Sequence, residues 1–298
     1  MTTPPILPYF DFILAMLAQA NPSVEKSFGR HVHFGFWPDP RAATGSDDDY
    51  ARAAERLSLE LCQAAGIAPG ERVLDAGCGF GGTLAFLNER HRDMRLVGLN
   101  LESRQLERAR ELVQPANGNV LELHQGDACA LPFGDASFDR VLAVECIFHF
   151  PSRERFLSEA FRVLRPGGTL ALSDFVPSAL FLPVARAATE SPALARFQYF
   201  GRCNIACTAG AYRRLVRKTG FQPLAERNVT RNILPTYRYL KTLLSKSAAI
   251  EGITGPVTHF MEVLRLVSVL GLLNYYVMAF RKPADGLQPV VAARPKSG

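Results

Sequence analysis

The chain has 298 residues, 48% of them hydrophobic, with ordinary glycine and proline usage and a formal net charge of +6. That describes a globular protein with enough residues to bury one large core and carry a cap. The six cysteines, Cys62, Cys78, Cys129, Cys146, Cys203 and Cys207, form no C-x-x-C unit, which argues against a zinc site or a disulfide framework and for reduced thiols in the cytoplasm.

Along the chain, "MTTPPILPYFDFILAMLAQ" carries an apolar run without a basic leader or a small-residue cleavage site, so it is not read as a signal peptide. Residues 1–60 are aromatic and helical in character around "SFGRHVHFGFWPDP". From 71 to 176, strand-length apolar runs alternate with helical spacing: "RVLDA" then 83–90, "RLVGLN" then 103–113, "VLELHQGD", "RVLAVE" then 153–164, and "TLALSDF". Such alternation predicts βαβ units around a parallel sheet. "RPGG" at 165–168 is expected to end a helix and set up the next strand. Residues 180–282 are basic and helix-rich, with helices expected over "NILPTYRYLKTLL" and "VTHFMEVLRLVSVLGLL", a last strand in "NYYVMAFRKP" and a loose tail from 284. The apolar stretch at 257–280 is interrupted by His259, Glu262, Arg265 and Asn274, which argues against a membrane span.

"ERVLDAGCGFGGTLAFL" contains a G-x-G-x-x-G, Gly77, Gly79 and Gly82, between a strand and a helix. Glycines there let a ligand reach backbone N–H groups in the crevice where open α/β sheets bind, although a tight turn without a ligand has the same pattern. Asp75, two positions before Gly77, discriminates. A carboxylate repels a pyrophosphate and attracts an ammonium group, so a cationic amino-acid nucleoside fits better than NAD; capping of the helix is its other use. In "QGDACALPF", Asp127 can accept from an exocyclic amine while Ala128 covers a ring, or Asp127 can simply make a turn.

In order and spacing, "VLDAGCGFGG", "LVGLNLESRQLERAR", "QGDACALPFGDASFDRVLAVE" and "EAFRVLRPGGTLALSDF" resemble class I S-adenosylmethionine-dependent methyltransferases. They are most similar to the bacterial small-molecule group that includes tocopherol-like and natural-product O- and C-methyltransferases. The resemblance covers roughly 55–230. It implies an α/β, Rossmann-like fold, a mostly parallel seven-stranded sheet with helices on both faces. Around it are expected an N-terminal lid (1–60), a cofactor-binding core (61–178), the rest of the core with helical substrate-cap insertions (179–282) and a tail (283–298). It implies S-adenosyl-L-methionine as cofactor, with Asp75 and Gly77 at its methionine part, Asn100 at the ribose, Asp127 and Ala128 at the adenine, Glu145 beside it, and Gly79, Leu101 and Gln105 among the other cofactor-binding residues. Where many such enzymes end the second strand in Asp or Glu, this chain has Asn100, with Glu102 two residues on, and either can meet the ribose.

Methyl transfer is an in-line displacement, so a site must chiefly align acceptor and methyl group, adding a base where the acceptor loses a proton. "VECIFHFPSR" directs Glu145, Phe148 and His149 to the pocket mouth. His149 is the first candidate base because an imidazole titrates near neutrality; a structural histidine is the alternative. In "RHVHFGFWPD", His31 and His33 are further candidate bases, and Phe34, Phe36 and Trp37 form either a lid over an apolar substrate or an anchor for the N-terminus. Phe34, Trp37, Phe148 and Tyr237 are expected at the substrate, with Tyr239, His259, Phe260 and Met261 in a roof or in packing. No metal is expected, since His31 and His33 lack a third ligand.

Between 202 and 282 thirteen Lys and Arg stand against three Glu, which can draw an anionic acceptor, touch a membrane surface or acidic carrier, or form a solvated face. DNA amino-methylation is disfavoured because "ECIF" stands where those enzymes carry Asn/Asp-Pro-Pro-Tyr/Phe. The expected function is methyl transfer to a small, largely apolar metabolite, by O-methylation first and C-methylation of an isoprenoid or aromatic second. An NAD-dependent oxidoreductase and a non-catalytic cofactor-binding protein are the distant alternatives, and residues 255–275 offer a homodimer face.

Overall fold

The computed structural model describes residues 8–190, 201, 203–246 and 254–284. The tail expected beyond residue 284 lies outside them. Seven strands, β1 (Arg72–Ala76), β2 (Arg95–Asn100), β3 (Val120–Gln125), β4 (Phe138–Val144), β5 (Leu164–Pro177), β6 (Gln222–Asn228) and β7 (Leu273–Arg281), form one sheet in the order β3-β2-β1-β4-β5-β7-β6. The first five pair in parallel, and β7 runs antiparallel between β5 and β6. This is the mostly parallel Rossmann-like sheet expected. Strand order reverses between β1 and β4, which opens a crevice at their carboxyl ends.

Helices cover both faces: α3 (Asp47–Ala65), α4 (Gly82–Arg90) and α5 (Ser103–Leu112) with α9 (Thr230–Lys246) and α10 (Thr254–Val269), and α6 (Arg153–Val163) with α8 (Ala209–Thr219); α7 (Leu182–Glu190) follows β5. Two apolar clusters result. One joins Leu57, Leu61, Leu84, Ile233 and Val277, the other Leu74, Val97, Phe156, Leu157 and Val216. The central strands are apolar on both faces because helices cover both. α3 starts where the Ser46 side chain accepts from the Asp49 amide, with three aspartates in its first turn, and stops at Gly66.

Two local expectations need correction. α6 ends at Val163 and β5 starts at Leu164, so "RPGG" is the opening of the strand itself, held where the Gly167 and Lys282 amides bond to the carbonyls of Lys282 and Gly168. "SFGRHVHFGFWPDP" is mostly not helical. α1 (Pro8–Ala18) and α2 (Pro22–Phe28) precede an extended strap from 29 to 39. Bonds from the Phe36 amide to the Ala53 carbonyl (2.8 Å) and from the Trp37 amide to the Asn232 carbonyl (2.9 Å) fix that strap.

Beneath β5, Asp174 is fully buried with Arg153, which donates to its Oδ2 through Nε (3.0 Å) and Nη2 (2.8 Å), and the Tyr212 hydroxyl donates to the same oxygen. Removing the cation strands a carboxylate in the core. Arg153→Met is therefore expected to lower stability by about 3–5 kcal/mol in urea unfolding; a loss under about 1 kcal/mol would show that the pair carries little of the fold.

Candidate functional site

The ends of β1, β2, β3 and β4 meet the strap and α1 around a cavity of about 510 Å³. From these strand ends Asp75, Gly77, Gly79, Asn100, Leu101, Gln105, Asp127, Ala128 and Glu145 all reach its wall, as do Phe148 and His149 beyond β4 and His31 and His33 from the strap. Asp75 and Glu145, 70 positions apart in sequence, thus share one surface because parallel strands deliver their carboxyl ends to one edge.

Asp75 is 2% exposed and its Oδ1 has no partner. Burial raises its carboxyl to about 7. Gly77 has φ 83°, and a Cβ there would lie 2.9 Å from Cys146 Sγ, so the turn leaving β1 admits no side chain. An orphaned carboxylate oxygen beside this bare backbone suits a ligand that brings an ammonium group.

At the end of β2, Asn100 donates to Gln105 Oε1 (2.7 Å). Glu102 caps α5 and pairs with Arg104 (2.6 Å), which leaves Asn100 the less committed of the two toward a ribose. Asp127 makes a turn, accepting from the Cys129 amide (2.8 Å), while still lining the cavity.

Glu145 follows β4 with φ 50°, a backbone conformation that side chains rarely adopt. Its Oε2 accepts from the Tyr275 hydroxyl (2.6 Å) and the Phe34 amide (3.0 Å), and its own amide donates to Ser173 Oγ (3.0 Å). Burial pushes its carboxyl up to about 8 against those two donors. The next turn of chain, Ile147–His149, is a 3₁₀ turn that sets His149 beside Tyr9, with ring centroids 6.1 Å apart and near parallel. The Tyr9 hydroxyl lies 3.4 Å from His149 Nε2, and Cys203 Sγ lies 3.8 Å from Nδ1.

The structure corrects the substrate set. Phe34, Trp37 and Tyr237 do not line the cavity. Phe34 turns its ring into the core against Phe175, Tyr237 and Tyr275. Trp37 donates to Asp49 (3.0 Å) and packs on Tyr50, and Tyr237 bonds Ser268 (3.1 Å). Arg30, His31, Val32 and His33 line the cavity in succession, and from Phe34 to Trp37 the strap leaves it and buries its rings in the core. Trp37 thus belongs to the anchor, with Phe10, Ile13, Phe28 and Tyr239. The expected roof from α9 and α10 is likewise absent from the wall, where α1 contributes Tyr9 and Phe10 instead. The sequence reading missed these two, along with Thr83 and Phe150, because an apolar N-terminal helix looks the same whether it anchors or covers. Among the described basic residues of 202–282, none reaches the cavity, and several pair on the surface, as Arg213 with Glu226 and Arg227 with Glu60. An anionic acceptor drawn by that region has no support at this site. Among the described residues no helix is long and apolar enough to cross a membrane.

The model of a methyltransferase domain family matches residues 74–172. Over 224 residues the chain is 35% identical to Methyltransferase GfsG of Streptomyces halstedii, covering 73% of this chain and 75% of that one. It is 29% identical over 272 residues to the 27-O-demethylrifamycin SV methyltransferase of Amycolatopsis mediterranei, covering 87% and 93%. The crystal structure of geranyl diphosphate C-methyltransferase from Streptomyces coelicolor A3(2) superposes with a TM-score of 0.67 over 94% of this chain and 100% of that one, at 20% identity, a likeness of fold. The NAD-dependent and non-catalytic readings fall away. A cavity at the strand ends with an unpartnered carboxylate on Asp75 stands beside a family match over those strands: the chain belongs to the class I S-adenosylmethionine-dependent methyltransferases, in the natural-product group.

Proposed function

We propose that the enzyme methylates a hydroxyl oxygen of a small, largely apolar secondary metabolite, with His149 as general base. The observation that carries this is the place of His149, on the cavity wall past the end of β4, between the rings of Tyr9 and Phe148. The cofactor, when bound, supplies an electrophilic methyl group on a sulfonium sulfur. Asp75 takes its ammonium group, the bare backbone at Gly77 and Gly79 admits its methionine part, Asn100, Leu101 and Gln105 meet the ribose, and Asp127 and Ala128 the adenine. Glu145 lies beside it, tied to the strap. Tyr9 and Phe148 hold an apolar acceptor against the methyl group, and His149 takes the proton that its hydroxyl loses. The relatives named for O-methylation support this reading.

C-methylation is the second reading, favoured by the aromatic wall of Tyr9, Phe10 and Phe148, whose faces suit a cation on the acceptor. Residues 1–60 act as the lid in either reading. A cytoplasmic location and a homodimer through α10, whose Val263, Leu266 and Val269 are exposed, complete the proposal; light scattering should give twice the mass of one chain, and one chain's mass would remove the dimer.

With the acceptor identified by labelled methyl transfer into metabolite extracts, His149→Asn is expected to lower kcat by about 10²–10⁴-fold with little change in the KM for cofactor. Near wild-type turnover in that variant, with Tyr9→Leu or Phe148→Leu inactive, would replace the base mechanism with C-methylation. Asp75 gives a separate signature. Its carboxyl, raised to about 7 by burial, must ionise to meet an ammonium group, so S-adenosylhomocysteine should bind more tightly as pH rises toward about 7, by up to about tenfold per unit, with proton release. Asp75→Asn should bind more weakly and without that slope; an unchanged slope by calorimetry would remove Asp75 from the cofactor.

A further inference from the structure

Three imidazoles stand on the cavity wall, His31, His33 and His149. Every ring nitrogen of the first two is engaged. His31 Nε2 lies 2.9 Å from Glu55 Oε1, His33 Nδ1 lies 2.9 Å from the Phe34 carbonyl oxygen, and His31 Nδ1 and His33 Nε2 face each other at 3.1 Å. Neither ring offers a lone pair to an acceptor hydroxyl, so the expectation that either acts as base is corrected. With His149 as the base, the acceptor end of the cavity is the end at His149.

Beyond that histidine the chain adds two polar residues to the wall, Thr189 in the last turn of α7 and Asn204. Both sit on backbone fixed against His149. The Asn204 amide donates to the Phe148 carbonyl (2.8 Å), Cys203 Sγ lies 3.8 Å from His149 Nδ1, and Thr189 Oγ1 lies 3.4 Å from the Cys203 carbonyl oxygen. The Thr189 hydroxyl spends its proton on the Ala185 carbonyl (2.9 Å) and brings no donor to the cavity. Asn204 does. Its Oδ1 accepts from the Ala206 amide at 3.1 Å, a bond that an N–H makes only with the oxygen of the side chain, so the end left over is the NH2 group. That group has no protein acceptor. Asn204 is exposed at the cavity mouth, so water can serve the group while the site is empty.

The atom that replaces this water should be an oxygen without charge. Among the described residues Arg30 is the one Lys or Arg on the wall, and Glu55 and Glu89 already pair with it. Burial holds the His31 and His33 imidazoles below their ordinary values, against a cationic form. A carboxylate or phosphate of the acceptor would lose water here and gain no free side-chain cation. A hydroxyl, ether or carbonyl oxygen loses little and accepts an N–H from Asn204.

We infer that Asn204 is a specificity-determining residue: its Nδ2 donates to a second, uncharged oxygen of the acceptor, within a few bonds of the hydroxyl that is methylated. The inference rests on the proposed O-methylation. The acceptor is then a diol, hydroxy-ether or hydroxy-ketone, rather than a lone alcohol or an acid. Labelled methyl transfer into metabolite extracts yields the product, which should carry such an oxygen near its new methoxyl group. A product with none there, or with only a carboxylate or phosphate, overturns the inference. Kinetics on the purified acceptor supply the second arm. Asn204→Asp keeps the bond to the Ala206 amide and loses the donor, whereas Asn204→Ala loses both. Each should raise the KM for acceptor by about tenfold, the scale of one neutral hydrogen bond, with the KM for cofactor within about twofold of wild type. A partly folded fraction does not alter KM. If Asn204 merely holds its turn, Asn204→Asp behaves as wild type and only Asn204→Ala is impaired; that result overturns the inference. The two readings fail separately. Turnover that survives in His149→Asn while both Asn204 variants lose acceptor affinity removes the base and leaves the contact; lost turnover in His149→Asn with an unchanged acceptor KM in Asn204→Asp removes the contact alone.

Discussion

Burying a carboxylate costs several kcal/mol unless something replaces the water it loses, and this fold buries three near the ends of its central strands. Asp174 receives Arg153 and Tyr212 on Oδ2, while its Oδ1 has no partner. Glu145 receives two neutral donors, the Tyr275 hydroxyl and the Phe34 amide. Asp75 receives nothing on Oδ1. The first arrangement holds α6 and α8 to the sheet, the second ties the strap and β7 to the end of β4, and the third leaves a demand that a bound molecule must meet. A cationic group suits that third carboxylate and a pyrophosphate does not, a distinction that the glycines beside it do not make.

The strap gives the cavity its outer wall. The Tyr50 hydroxyl donates to the His33 carbonyl (3.0 Å), and the Gly35 amide donates to Thr236 Oγ1 (3.1 Å), so α3 and α9 hold it from both sides. Outside it, Arg104 pairs with Asp11 of α1 and Arg108 with Glu25 of α2, but Arg104, Asp11 and Glu25 are exposed, so the pairs hold weakly. α1 is therefore fastened chiefly by its apolar face, Phe10, Ile13 and Met16, and carries Tyr9 to His149 on that fastening.

The central sheet was legible because its strands are apolar runs bounded by turn residues, and four blocks of local pattern coincide with four strand ends. β6 was not. "QPLAERN" is an edge strand with little burial, so nothing in its composition marks it apart from a polar loop. The residues expected at the cofactor all lie on the cavity wall because each sits within a few positions of a strand end, a local relation. The aromatic strap was read wrongly in part because the point where it leaves the cavity for the core, between His33 and Phe34, is set by contacts with Phe175, Tyr237 and Tyr275, 141 or more positions away. Glu55 carried no signal at all. On a helix rich in charge it looks like any solvated glutamate until the fold brings His31 to it.

The glycine at position 82 has a different cause from the two before it. Gly77 is held bare by Cys146 and a positive φ, whereas Gly82 has an ordinary helical backbone and is kept small by His31 and the Arg30 carbonyl. The last glycine of the fingerprint answers to a histidine fifty-one positions upstream rather than to the nucleoside. The two sites are consequently one steric unit: a methyl group at 82 would have to displace the strap backbone at Arg30 as well as the imidazole, so a smaller residue at 31 does not by itself make room for it.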